Sequence, residues 1–91
     1  MRAEIFNFNE WISDVNSKTL KSRFDRIIKQ SGFTVLNFCE HFFQPHGYTA
    51  LWLLGESHFA LHTFPEEDKT YIELSSCNKE FFDNFIKLIN K

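Results

Sequence analysis

Leu20, Phe24, Ile27 and Ile28 recur at three- and four-residue intervals, which puts them on one face of a helix, and Gly32 supplies its stop. The chain closes on a second pattern of this kind. Phe81, Phe82, Phe85, Ile86 and Ile89 share one side of an amphipathic helix that Asn78 can cap. Between the two helices the period shortens. Residues 33–43 are rich in aromatic and β-branched side chains, and Pro45 with Gly47 punctuates their end, as in a strand entering a turn. Tyr48 to Leu54 reads as a largely buried strand, broken at Gly55. Residues 58–64 and 69–76 form a further strand pair around the turn Pro65-Glu66-Glu67-Asp68, and residues 3–8 predict a short first strand. The order predicts an α+β fold, an antiparallel β-sheet with two helices packed on one face. No repeat, low-complexity tract or linker interrupts residues 1–91, so a single small domain is expected.

A sheet covered on one face leaves the other to be solvated or covered. With 91 residues the core is modest, and with 43% hydrophobic residues and twelve Phe the chain carries more aromatic bulk than such a core needs. A second subunit over the open face is the expectation. The formal net charge of -2, with Lys and Arg scattered among acids, excludes the basic footprint of a nucleic-acid binder. No apolar run approaches the roughly 20 residues of a membrane span. Met1-Arg2-Ala3-Glu4 lacks the apolar core of a secretion signal, so a cytoplasmic protein without membrane contact is expected. That compartment favours free thiols at Cys39 and Cys77, with Cys39 as a small buried strand residue.

The candidate chemistry is concentrated in Gly55-Glu56-Ser57-His58-Phe59-Ala60-Leu61-His62-Thr63-Phe64-Pro65-Glu66, with Cys77 downstream. If the hairpin turn centres near Glu67, Ser57 lies opposite Cys77 with Cα atoms ~5 Å apart. His62 is five residues further along the strand, ~16 Å from Ser57. It reaches a serine only if a bulge bends the strand or if it serves the Ser57 of a second subunit across a two-fold axis. His41, His46, His58 and Cys39 match no common zinc spacing, and no metal site is expected.

This segment, together with His41-Phe42-Phe43-Gln44-Pro45-His46-Gly47-Tyr48-Thr49, resembles the small prokaryotic S-adenosylmethionine decarboxylase proenzymes. Those carry Glu-Ser-His, then His-Thr-aromatic-Pro-Glu, a downstream Cys, and an upstream His-x-Phe-x-Pro-x-Gly. Agreement of residue types and spacings over two separate segments makes the resemblance specific. It implies self-cleavage between Glu56 and Ser57, with Ser57 converted to a covalent pyruvoyl cofactor. The pyruvoyl carbonyl forms a Schiff base with the substrate amine and accepts the carbanion charge of decarboxylation.

The resemblance also implies residue roles. His62 removes the proton in the elimination step, Thr49 assists processing from the place of a family serine, and Cys77 protonates the product carbanion. Phe43 stacks on adenine, Glu66 holds ribose hydroxyls and Glu56 lies near the amino-acid end of the substrate. It implies a homodimer with shared active sites and an aminopropyl donor for spermidine as product. Asn78 follows Cys77 where a glycine is usual. Two other readings of the same residues are a pyruvoyl decarboxylase of arginine or ornithine, and a non-catalytic regulatory relative that does not cleave itself.

Overall fold

The computed structural model describes residues 2–91. Five strands and two α-helices follow one another among the described residues, with a short 3-10 turn at Pro65–Glu67: β1 (Phe6–Ile12), α1 (Ser17–Ser31), β2 (Val35–Phe42), β3 (Tyr48–Leu54), β4 (Ser57–Phe64), β5 (Lys69–Ser76) and α2 (Lys79–Ile89). The strands form one sheet in the order β1-β5-β4-β3-β2, and every neighbouring pair is antiparallel. The expected α+β layer is therefore present, with both helices on one face of the sheet.

Each helix begins where the sequence offers a side-chain acceptor. The Asn16 carboxamide accepts from the Thr19 N–H at 3.0 Å, and that of Asn78 accepts from the Phe81 N–H at 2.9 Å. Helix α1 ends because Gly32 adopts φ +117, a left-handed conformation that L side chains rarely take. A Cβ there would also stand 2.6 Å from the Phe81 ring, so Gly32 lets α1 and α2 approach closely.

Strand parity sorts the side chains. Tyr48, Ala50, Trp52 and Leu54 of β3, Phe59 and Leu61 of β4, and Ile72 and Leu74 of β5 face the helices and are buried. They meet Leu20, Phe24, Ile27 and Ile28 of α1 and Phe85 of α2. Phe59 is the hub of the layer, stacked on Phe24 at 4.9 Å and touching Trp52 at 5.4 Å and Phe85 at 5.5 Å between ring centroids. Each such buried large side chain contributes about 1.5–3 kcal/mol relative to exposure.

Two polar clasps fasten α1 to the sheet. Trp52 Nε1–H donates to Asp25 at 3.2 Å, and Lys29 pairs with the same carboxylate at 2.9 Å. The Tyr48 hydroxyl donates to Glu40 at 2.6 Å, and Lys21 pairs with it at 3.1 Å. The hydrogen bond from Tyr48, then that from Lys21, holds the Glu40 carboxyl below its ordinary range. The hydrogen bond in turn joins burial in pushing the Tyr48 hydroxyl up.

The structure corrects the expectations at three points. The first strand runs over Phe6–Ile12 rather than residues 3–8, because the long partner β5 supplies pairing from Ser76 back to Thr70. Cys39 is exposed, not buried: it pairs with Leu51 on the open face of an edge strand, whereas its neighbour Phe38 packs on Trp52. The turn between β4 and β5 has four residues, Pro65 to Asp68, so its centre falls between Glu66 and Glu67. Phe64 then pairs with Lys69, and Ser57 pairs with Ser76 instead of Cys77. Cys77 lies one residue beyond the strand and is exposed.

The open face is apolar along β3 and at its ends. Leu51 is 43% and Leu53 52% exposed, a high value for leucines at the middle of a sheet. Trp11 and Phe64 stand at one edge, 5.8 Å apart between centroids. Among the described residues no helix is long and apolar enough to cross a membrane.

Candidate functional site

The predicted site residues fall into two groups at opposite ends of β4. One end is the hairpin joining β3 to β4, where Leu54 pairs with Ser57 and only Gly55 and Glu56 form the turn. Glu56 takes φ +50, the left-handed region that favours glycine, at a cost of about 1–3 kcal/mol for a residue with a Cβ. Its carbonyl belongs to the Glu56–Ser57 peptide, the bond at which the resemblance implies cleavage. The Ser57 side chain turns toward the helices, 6% exposed, and its hydroxyl donates to Ser76 Oγ at 2.9 Å. The Asn78 N–H donates to that same Ser76 oxygen at 3.0 Å. Asn78 thus serves the end of β5 with its backbone and the start of α2 with its side chain.

The other end lies on the open face. Thr49 and His62 are cross-strand partners, with Thr49 Oγ1 and His62 Nδ1 at 2.8 Å. In the tautomer whose Nδ1–H donates to Thr49, Nε2 carries the lone pair and is free to take a proton. Tyr71 is the partner of His62 on the other side, its ring nearly parallel at 17° and 6.4 Å away. The hydrogen bond from Tyr71 to Glu73, 2.9 Å long, raises the tyrosine above its ordinary value and keeps it a neutral neighbour.

A cavity of about 290 Å³ opens beside this pair, lined by Phe43, His46, Thr49, His62, Phe64 and Glu66 among others. Phe43 is half exposed and leans edge-on against His41 at 4.5 Å. Gly47 at φ +114 closes the loop beneath it, its carbonyl accepting from the Phe43 N–H at 2.9 Å. Glu66 is held from the opposite side by His46 Nε2 at 3.1 Å. Among the described residues no group of His, Cys, Asp and Glu is placed to hold a metal ion.

Thr49, His62, Phe43 and Glu66 are thus brought together, and Glu56, Ser57 and Cys77 are gathered elsewhere. Ser57 and His62 sit ~16 Å apart along one strand. They also point to opposite faces of it, since their numbers differ in parity. No bulge interrupts β4 between them, as its pairing with β5 is continuous from Ser57 to Phe64. Sequence reasoning missed Ser76 and Tyr71, and weighed His46 only as a metal ligand. An even-numbered turn at Pro65–Asp68 would have pointed to Ser76 and Tyr71 by register, while the pairing of His46 with Glu66 joins two loops that no local signal connects.

The two-layer α+β fold is shared with solved structures. The crystal structure of the adenosylmethionine decarboxylase from Aquifex aeolicus VF5 superposes with a TM-score of 0.74 over 99% of this chain and 83% of that one, at 20% identity. The chain belongs to the S-adenosylmethionine decarboxylase family, whose profile matches residues 3–91. A relative named S-adenosylmethionine decarboxylase proenzyme from Prochlorococcus marinus (strain MIT 9313) is 36% identical over 61 residues, 67% of this chain and 49% of its own length. An S-adenosylmethionine decarboxylase proenzyme 2 from Bacillus cereus (strain ATCC 14579) is 47% identical over 47 residues, 52% of this chain and 38% of its own. The chain spans about half the length of such relatives or less.

Proposed function

We propose that this chain is a self-processing S-adenosylmethionine decarboxylase whose active sites are each shared between two copies. The observation that carries the reading is the Thr49–His62 hydrogen bond beside Phe43 and Glu66, in a chain whose family match covers both ends of β4. A histidine oriented by a hydroxyl, far from its own serine and open to the solvent side, is suited to serve another copy.

Self-cleavage begins at the hairpin. Ser57 Oγ attacks the Glu56 carbonyl, and the left-handed strain at Glu56 is released when that peptide opens. His62 of the partner subunit removes the proton from Ser57 Cα. This proton is on the backbone rather than the side chain, so the inward turn of the Ser57 hydroxyl does not obstruct it. Ser57 is the first residue of β4 after a two-residue turn, so the pyruvoyl group derived from it would stand at the new N-terminus of the 57–91 piece. That group would supply the electron sink that decarboxylating an α-amino acid needs and that no side chain provides.

The remaining residues act on the substrate. Phe43 offers a ring face to adenine, and the Glu66 carboxylate accepts from ribose hydroxyls while His46 holds it in place. Exposed Cys77 returns a proton to the product, and Glu56 stays near the amino-acid end. The product is the aminopropyl donor of polyamine synthesis, made in the cytoplasm, where the two free thiols persist.

Intact mass under denaturing conditions tests the reading. Two fragments, residues 1–56 and a 57–91 piece lighter by the loss of ammonia, are the expected result; a chain that stays whole in active conditions contradicts it. Carbon dioxide release from labelled S-adenosylmethionine, and none from arginine or ornithine, is the expected substrate pattern.

A further inference from the structure

Ser76 has no part in the chemistry described so far, although its oxygen is the hydrogen-bond partner of the Ser57 hydroxyl. It is 0% exposed, and its Oγ accepts from Ser57 Oγ–H at 2.9 Å and from the Asn78 N–H at 3.0 Å. The hydroxyl's own hydrogen has only the Asn78 carbonyl, at 3.5 Å, which is long for an O–H donor. Ser76 therefore holds a fixed oxygen and a nearly unused hydrogen beside the reacting atom. Hydroxyl hydrogens rotate to suit their partners, so this pair can run in either direction.

We propose that Ser76 is a catalytic residue of the self-cleavage, bonded to the Ser57 oxygen throughout and reversing the direction of that bond between the two steps. The proposal rests on the reading of Ser57 as the residue that cleaves the chain. Before cleavage Ser57 donates to Ser76, which fixes the oxygen and leaves its lone pairs free. In the acyl shift the Oγ–C bond to the Glu56 carbonyl forms, the C–N bond breaks, and the hydroxyl proton ends on the freed amine of residue 57. The Ser57 oxygen is now an ester oxygen with nothing to donate.

Ser76 then turns its hydrogen onto that oxygen. In the elimination the Cα proton leaves to a base, the Cβ–Oγ bond breaks with its electron pair on oxygen, and Glu56 departs as a carboxylate. Residue 57 is left as dehydroalanine, and water hydrolyses its imine tautomer and releases ammonia. A hydrogen bond to the departing oxygen strengthens as charge develops there, so it lowers this barrier more than it stabilises the ester. The Asn78 N–H keeps the Ser76 oxygen in place in both directions, which gives residue 78 a backbone role that any non-proline residue could fill.

Ser76→Ala and Ser76→Thr separate this role from simple packing. Each variant is followed by intact mass, with and without neutral hydroxylamine, which cuts an ester but not an amide. Near-ultraviolet circular dichroism checks that the fold is retained. Ser76→Ala is expected to slow fragment release on the order of tenfold, the kinetic equivalent of one lost hydrogen bond, and to raise the hydroxylamine-cleavable fraction above wild type. Ser76→Thr, which keeps a hydroxyl, restores the rate. Release from Ser76→Ala at the wild-type rate, slowing without build-up of ester, or equal slowing in both variants overturns the proposal. A wild-type chain that never cleaves overturns the self-processing reading itself, a result seen before any variant is compared.

Discussion

At the scale of single residues, the account depends most on how His62 is held. Thr49→Val keeps the shape of the side chain and removes the hydroxyl, leaving the ring free to turn. We expect fragment release to slow on the order of tenfold in Thr49→Val, to stay near wild type in Thr49→Ser, and to fall roughly 10²–10⁴-fold in His62→Ala. Timed intact-mass measurements read all three. The sequence singled these residues out as candidates because their types and spacings resemble a family pattern, and the structure brings Thr49 and His62 into hydrogen-bond contact. Their geometry was only partly legible in the chain. That His62 lies far from its own Ser57 on a straight strand follows from strand rise, and parity places the two on opposite faces; that no bulge bends β4 rests on its continuous pairing with β5. The partner of Ser57 was misread by one position, since a turn of four residues has no central residue, and one step of register exchanges Cys77 for Ser76.

At the scale of elements, the helices and the central strands could be read from hydrophobic period and caps, and the edges could not. Asn16, Gly32 and Asn78 mark helix ends with local chemistry, whereas β1 owes its extent to the length of β5, which no local signal carries. Cys39 shows the same limit: on an edge strand its parity, not its polarity, decides exposure. Gly32→Ala should destabilise by about 2 kcal/mol, a drop of roughly 10 °C in Tm for a domain this small. The left-handed φ and the Phe81 ring both oppose the new methyl there. Gly47→Ala has a similar φ, but its Cβ would come no closer than 3.6 Å to Phe43, so its loss should be smaller in the same thermal melts.

The clasps on α1 give a pH dependence with a definite sign. Glu40 is lowered from 4.5 by its hydrogen bonds to Tyr48 and Lys21. Asp25 is lowered from 3.8: burial pulls its value up, and the hydrogen bonds from Lys29 and Trp52 outweigh that. Both carboxyls are therefore more acidic folded than unfolded. The stability they contribute is present above those ordinary values and lost as pH falls through the folded ones. Urea melts of Glu40→Gln should show a weaker acid dependence below pH 4.5 than wild type; an unchanged slope would count against the clasp.

At the scale of the whole molecule, the open sheet face and the divided site both bear on the proposed second copy. Under the proposed function, a small domain that exposes Leu51 and Leu53 on an interior strand and carries its two groups of candidate site residues at opposite ends of β4 is one that a second copy related by two-fold symmetry would complete. Aromatic composition and helices packed on one face led to the expectation of a partner over the other face, and that face exposes Leu51 and Leu53. Leu53→Lys should shift the chain to monomer in sedimentation velocity and stop fragment release at the same time. The shared site is tested by mixing two chains that are each inactive. Ser57→Ala and His62→Ala, tagged to differ in mass, are co-expressed and analysed intact. Cleavage of the His62→Ala chain alone, in the mixture alone, is expected, because only there does an intact Ser57 meet the His62 of a partner. If neither chain is cut in mixed dimers while wild type is, the shared site is wrong.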